Sequence, residues 1–487
     1  MRTPYYFLCI VLFFALGGAR AARAQDQPPQ SPQPDQSQDQ SAEPIPAYHS
    51  PLASEADTGE QNAPAEYTPD TSAITGAQRF SVSTPEGNRS YWQPHADAVL
   101  TLDSNILGSP GTSWATLSSF YGGIDLHRVS GHSNLTLGYS VGGLISNQGG
   151  EGNGVVQGLN FSDKITFRRE VISVFEQMSY LPAFAFGSGG LGGVGLGGVS
   201  LPGTGGLGLA PGLTPDQTIL TTQGGEILSN TVMLEGDTHL SARSSVTLLG
   251  GYSLLHYFGA NQFDFGDVNA KAGYNRQVTR ADTIGISYTY SGINYTNFAQ
   301  SIDNHVAQIS YGRRITGRMG FQISGGPELS IFSTPIVANI GAAPSTSQMY
   351  WTVSSSLQYR LQHTQLGASY FHGVSGGSGV LPGAISNTVS ATASRQLTRT
   401  LGSSVNFGYS GNAAINVALV GNQSYNYWFG GASLTRSWGR DWNVSLWYQL
   451  QYQTGAASFC TGTSCSTNII QHLISVTLDW HPRPRAF

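Results

Sequence analysis

One pattern constrains this chain more than any other: apolar and polar residues alternate one by one, in segment after segment. In "DWNVSLWYQLQYQ" (441–453), Trp442, Val444, Leu446, Tyr448, Leu450 and Tyr452 form one set. Asn443, Ser445, Trp447, Gln449, Gln451 and Gln453 form the other. A strand sends successive side chains to opposite faces, so this segment has one apolar face and one polar face. The same period sets Leu135, Leu137, Tyr139 and Val141 against Asn134 and Thr136. It sets Ile284, Ile286 and Tyr288 against Thr283, Ser287 and Thr289, and Trp351, Val353, Leu357 and Tyr359 against Ser354, Ser356 and Gln358. Beyond the first two dozen residues no apolar run approaches the ~20 residues of a membrane helix, and no 3.6-residue period is sustained. The expected fold class is all-β.

Alternation alone does not say which solvent meets each face, but the connections between segments do. Eighteen strands are expected between residues 95 and 480, with sixteen as the alternative count; the weakest patterns lie near 155–167, 171–180 and 228–240. After each even-numbered strand comes a short turn such as "RRE", "SARSS" or "SWGRD". After most odd-numbered strands comes a longer loop, such as "ISNQGGEGNG" or "FSTPIVANIGAAPSTSQ". Short turns on one rim and long loops on the other match an antiparallel up-and-down transmembrane barrel.

The arginines sharpen this reading. Arg128, Arg168, Arg169, Arg243, Arg276, Arg280, Arg313, Arg314, Arg318, Arg360, Arg395, Arg399, Arg436 and Arg440 all fall at a short turn or the strand end beside it, and Arg483 and Arg485 lie in the tail. A guanidinium on the lipid face at mid-membrane costs roughly 2–4 kcal/mol and much less at the interfaces. Arginine held to one rim is therefore expected of strands that cross a bilayer. Both chain ends lie on that rim, which assigns it to the periplasm and the long loops to the cell exterior.

The chain closes with "VTLDWHPRPRAF". An alternating last strand followed by a terminal aromatic resembles the bacterial (Gram-negative) outer-membrane β-barrels, porin-like in architecture, over about residues 93–487. One departure is plain: "HPRPRA" separates Trp480 from Phe487, so Phe487 cannot simply continue that strand's face. The resemblance implies an outer-membrane location, with the lipid bilayer and lipopolysaccharide as surroundings and a homotrimer or a monomer as assembly.

The N-terminal part is different in kind. Arg2 followed by "YYFLCIVLFFALGG" and the small-residue "ARA" at Ala22–Ala24 reads as a signal peptide over 1–24. Residues 25–92, rich in Gln, Pro, Ser and Asp, bury too little apolar surface to offset their ordering entropy and read as a disordered linker. Ten acids and five bases lie before residue 96, leaving eighteen of each beyond it. The barrel region thus offers no basic patch for nucleic acid. Cys460 and Cys465, in "FCTGTSC", are expected to form a disulfide in an oxidising compartment.

Motifs of chemistry are few. The glycine-dense stretch 183–215 lacks the lysine of a phosphate loop. It falls in the third long loop, the position that constricts the pore in porins, and an external loop is the other reading. Asp264 and Asp267 in "FDFGD" suggest a solvated external loop rather than a calcium site. His256, His305 and His372 come without a partnered nucleophile. No catalytic, metal or cofactor site is expected. The lumen-facing set is Asn134, Thr136, Thr283, Ser287, Thr289, Ser354, Ser356, Gln358, Asn443, Ser445, Gln449, Gln451 and Gln453. The expected function is passive diffusion of small hydrophilic solutes. A non-conducting scaffold or a polysaccharide exporter is the alternative, and an outer-membrane hydrolase a more distant one.

Overall fold

The computed structural model describes residues 90–105, 114–147, 153–181, 226–258, 264–296, 300–333, 346–361, 363–375, 381, 383–415, 423–455 and 468–487. Stretch 183–215, Cys460 and Cys465, and the segments expected to be leader and linker as far as residue 89 lie outside them.

Eighteen long strands follow one another. They are β1 (Tyr91–Asp103), β2 (Ala115–Val129), β3 (Ser133–Ser146), β4 (Gly154–Thr166), β5 (Glu170–Leu181) and β6 (Ile227–Ser241). Next come β7 (Ser244–Tyr257), β8 (Phe265–Gln277), β9 (Asp282–Tyr295), β10 (Ser301–Thr316), β11 (Met319–Ser333) and β12 (Thr346–Arg360). The last six are β13 (Thr364–Ser375), β14 (Ala384–Thr398), β15 (Leu401–Ala414), β16 (Ser424–Trp438), β17 (Trp442–Gly455) and β18 (Asn468–Trp480). Each pairs antiparallel with its sequence neighbours, and β1 also pairs with β18 from Ala96↔Trp480 to Asp103↔Leu473. The sheet is closed on itself. The expected eighteen strands stand, the three weakest patterns among them, and the barrel begins two residues before the boundary placed at 93.

Parity explains why these residues build this wall. On β17 the even residues Leu446, Tyr448 and Leu450 are exposed, while the odd residues Trp447, Gln449 and Gln451 are buried. On β9, Ile284, Ile286 and Tyr288 are exposed and Ser287 is buried. The ring thus turns its apolar side chains outward and its polar ones inward, the reverse of a soluble protein. Closure satisfies the backbone groups strand to strand and leaves no edge strand, apart from one seam near the long-loop rim. Closed, apolar outside and polar inside, this is a transmembrane β-barrel of the porin-like, outer-membrane type. Even Glu176 obeys parity: paired with Phe161 and Val232, it sits on the outer face of β5.

The even-to-odd turns, read from the strand ends, are two to four residues long, and the other connections run from five residues upward. At the turn after β16, Gly439 takes φ +76, a left-handed conformation that a side chain disfavours, so Trp438 and Trp442 can face each other across it. Trp442 also lies 6.5 Å from Trp480, ring to ring. Trp92, Trp438, Trp442 and Trp480 give the short-turn rim an outer band of indoles.

The tail corrects one expectation. After Trp480 the chain bulges by one residue, four residues (481–484) lying opposite three of β1 (93–95), and pairs again as β19 (Arg485–Ala486) with Tyr91 and Trp92. Gln93 Nε2 donates to the Pro482 carbonyl inside the bulge at 2.8 Å. A one-residue shift exchanges faces. Arg485 therefore sits opposite outward Trp92, 5.3 Å above its ring, and Phe487 returns to the outer face that Trp480 occupies. The intervening "HPRPRA" does not prevent it.

Candidate functional site: the inner wall of the barrel

The inner wall is built by parity alone, strand after strand. Asn443, Ser445, Gln449, Gln451 and Gln453 share the inward face of β17, and Gln451 is 0% exposed. Thr283, Ser287 and Thr289 share that of β9; Ser354, Ser356 and Gln358 that of β12; Asn134 and Thr136 that of β3. Trp447 belongs to the same inward face, although its residue type suggests lipid. Hydroxyls on neighbouring strands bridge one another: Ser324–Ser354, Ser369–Ser390 and Ser404–Ser433, each 2.6 Å between oxygens, and Thr101–Ser475 at 2.7 Å. Such rungs hold the lining groups flat against the wall.

Charge on this face is one-sided. Asp97, Asp103, Asp125, Glu235, Asp237, Asp267, Glu328 and Asp479 point inward by strand parity. Of the basic residues in the described strands, Lys164, Lys271, Arg314 and Arg360 do, and all but Lys271 sit near the short-turn end. Asp267 is thus a buried wall residue, bonded to Asn269 and Ser291 at 2.7 and 2.9 Å, not the loop residue its motif suggested. A stretch that reads as a loop by its glycine and aspartates is claimed by the β8 ladder instead.

Polarity changes along the axis. Toward the long-loop rim the inner face carries Leu117, Leu144, Val156, Leu255, Ile293, Ile302 and Phe332, buried in one apolar cluster with Val374 and Ile415. Within it, walls that are not neighbours touch. Gly383, just ahead of β14, takes φ +83, and a Cβ there would lie 2.5 Å from Ile302 Cδ1 of β10 and 3.5 Å from Ile415 Cδ1. Tyr295 of β9 hydrogen-bonds the Gly383 backbone. Three strands separate β10 from β14 along the wall, so this contact narrows the barrel mouth. Only glycine meets both demands, the left-handed backbone and the missing Cβ.

The wall between these contacts is incomplete. β12 and β13 pair from Arg360↔Gln365 to Val353↔His372 and no further, although both strands continue. The Val374 amide, left without a ladder partner on β12, donates instead to Glu328 Oε2 at 3.2 Å, across Thr352. A side-chain carboxylate thus replaces a backbone acceptor at this seam.

At the short-turn end, His95 Nδ1 lies 3.2 Å from Asp125 Oδ2, and His481 Nδ1 lies 2.9 Å from Asp479 Oδ1. Hydrogen bonding to Asp479 raises the His481 pKa above the ordinary histidine value against the opposing effect of its own burial. Asn443 joins this group through its amide, 3.2 Å from His481 Nε2. Of the three histidines singled out in the sequence, His256 Nδ1 lies 2.7 Å from Asp264 Oδ2, His305 Nδ1 2.7 Å from the Tyr288 hydroxyl, and His372 Nδ1 2.7 Å from Asn387 Oδ1. Among the described residues no group of three His, Cys, Asp or Glu could hold a metal ion.

No protein-family model matches the sequence, and no curated protein matches it. Solved structures that resemble the barrel include OccK2 (OpdF) of Pseudomonas aeruginosa, 12% identical, covering 80% of this chain and 98% of that one at a TM-score of 0.41. OpdQ of the same organism is 9% identical over 81% and 99% of the two chains, with a TM-score of 0.40. OccAB1 of Acinetobacter baumannii is 10% identical over 82% and 98%, with a TM-score of 0.41. The fold assignment rests on the closed ring and its outer face, not on these likenesses.

Proposed function

We propose that this barrel is an outer-membrane channel for passive diffusion of small hydrophilic solutes, with a preference for cations, and not an enzyme. The observation that carries the reading is the inner wall itself. A ring of eighteen strands is too wide for its own side chains to fill, so its lumen holds water or a loop. The wall offers hydroxyls and amides at Thr136, Thr283, Ser287, Thr289, Ser354, Ser356, Gln358, Ser445, Gln449, Gln451 and Gln453, which replace hydration without trapping a solute. Among the described strands, eight inward carboxylates against four inward bases attract cations and repel anions. In this reading residues 1–24 direct export, 25–92 form a periplasmic linker, the short turns face the periplasm and the long loops the exterior.

Planar-bilayer conductance of the full chain in a salt gradient tests both halves. Step-like conductance with a cation-signed reversal potential is expected. A folded barrel that carries no current overturns the channel, and an anion-signed potential overturns the selectivity. The second reading, a non-conducting surface scaffold, is favoured by one feature, the contact of Gly383 with Ile302 across the mouth. The same recording separates the two.

A further inference from the structure

Beneath that contact the register lays out a small grid on the inner wall. Ile302, Phe332 and Thr346 lie in one row across β10, β11 and β12; Asn304, Ser330 and Gln348 in the next; Val306, Glu328 and Tyr350 in the third. The first row is apolar over β10 and β11 and belongs to the buried cluster. The two rows below carry acceptors. Asn304 is 3% exposed, Ser330 0% and Glu328 3%. Among the described residues, Asn304 Oδ1 and Ser330 Oγ have no hydrogen-bond partner. Glu328 uses one carboxylate oxygen on the Val374 amide, and among the described residues it forms no ion pair. Buried polar atoms without partners cost roughly 1–3 kcal/mol each, and such a concentration of them is unusual unless something else satisfies them.

We propose that Asn304, Ser330 and Glu328 form a subsite for a primary ammonium group carried on a short apolar body. The chemistry follows from what is present and what is missing. Asn304 Oδ1 and the second oxygen of Glu328 only accept, the Ser330 hydroxyl can accept, and an ammonium presents three donors. Directly paired residues on adjacent strands stand about 5 Å apart, and residues two along a strand about 7 Å apart, so one compact cation reaches all three. Glu328 supplies the opposite charge that a desolvated cation requires. Ile302 and Phe332 cover the apolar remainder, and exposed Gln348 leaves the edge of the grid open to the lumen. A carboxylate ligand is disfavoured, because Glu328 would repel it and no described cation faces it. The subsite deepens the channel reading by naming a solute class.

The test uses hexylammonium, with hexanoate and hexan-1-ol as controls of the same length, on the full chain. In planar bilayers hexylammonium is expected to interrupt the current at concentrations where neither control does. Glu328→Gln keeps an acceptor for the Val374 amide, so the seam stays closed, yet it removes the charge; block is expected to weaken about tenfold. Asn304→Ala is expected to weaken it about threefold. Should the folded barrel carry no current, the channel reading fails by itself, and titration calorimetry of hexylammonium into the detergent-solubilised protein still tests the subsite. Equal effects of hexylammonium and hexanol on the wild type, or an unchanged response in Glu328→Gln, would overturn it.

Discussion

Replacing Leu446 by arginine is the sharpest way to ask whether the exposed face of β17 meets lipid. Leu446 is 48% exposed and sits between Leu434 and Val476, both exposed on the same face. It lies four residues along the strand from Trp442 of the indole band. Four residues at about 3.4 Å each, tilted about 40° from the axis, place it roughly 10 Å inward from that band. The apolar belt of such a barrel is about 25 Å tall, so Leu446 lies close to its midplane. A guanidinium there is expected to cost roughly 2–4 kcal/mol, a 30- to 1,000-fold loss in the folded-to-unfolded ratio. Snorkelling to the indole band would bring the cost toward the lower figure. The counterpart is Gln449→Arg, three residues on and on the opposite face. Gln449 is paired with Gly431 on the inner face, so its charge would lie away from lipid. Urea unfolding of both variants in lipid vesicles, followed by tryptophan fluorescence, gives the two costs. Gln449→Arg is expected to fold within about 1 kcal/mol of the wild type and to move selectivity toward anions. Equal destabilisation by the two substitutions would refute the assignment of the faces.

Other expectations are more quickly stated. Unboiled and boiled samples are expected to migrate differently in denaturing gels, because a closed ladder resists mild detergent; identical migration would count against the barrel. Asp267→Asn, which keeps acceptors for Asn269 and Ser291, is expected to reduce the cation preference in reversal-potential recordings while the barrel still folds. Deletion of residues 187–211 is expected to leave a folded barrel and to raise its conductance, since loop length changes closure entropy slowly; unchanged conductance would place that loop outside the pore. The raised pKa of His481 means that the folded state holds this proton more tightly than the unfolded chain. Its stabilising effect is therefore complete below the ordinary histidine pKa and fades as pH rises through the raised value. Urea midpoints measured at about pH 5 and about pH 9 should differ more for the wild type than for His481→Gln, and equal differences would argue that the contact with Asp479 does nothing for stability.

Much of the wall was legible because two independent rules had to agree. Alternation located the strands, and the confinement of Arg168, Arg243, Arg280, Arg318, Arg399 and Arg440 to short turns told which rim each strand end reached. Even poor patterns such as β5, with Glu176 in its apolar row, were held in place by neighbours. The features that depend on contact between distant residues were not legible. Nothing near Gly383 names Ile302 as its neighbour, and nothing in β12 says that its pairing with β13 ends at Val353. Trp447 shows a second limit: parity, set by the whole ladder, overrides the preference of a single aromatic side chain. Phe487 shows a third, since one bulged residue reverses a face assignment without any change in the hydropathy pattern. Asp267 shows a fourth, because turn-like composition yields to a ladder that extends past it. The candidate subsite belongs wholly to this class, for Asn304, Ser330 and Glu328 look like ordinary polar positions until the register sets them side by side.

The junction of β1 with β18 has a temporal meaning. Every other pair of neighbouring long strands is joined by a hairpin and can form from adjacent chain, but Thr101 and Ser475, bridged through their hydroxyls, are 374 residues apart. During synthesis and insertion the N-terminal strand must therefore wait, one edge unpaired, until the last strand arrives. A chain cut short anywhere before β18 has two open edges that it cannot pair with each other in register, and open edges recruit other chains. Ring closure thus distinguishes finished molecules from unfinished ones. The β19 residues beside Tyr91 and Trp92 are the last to join and fasten only when everything before them is in place.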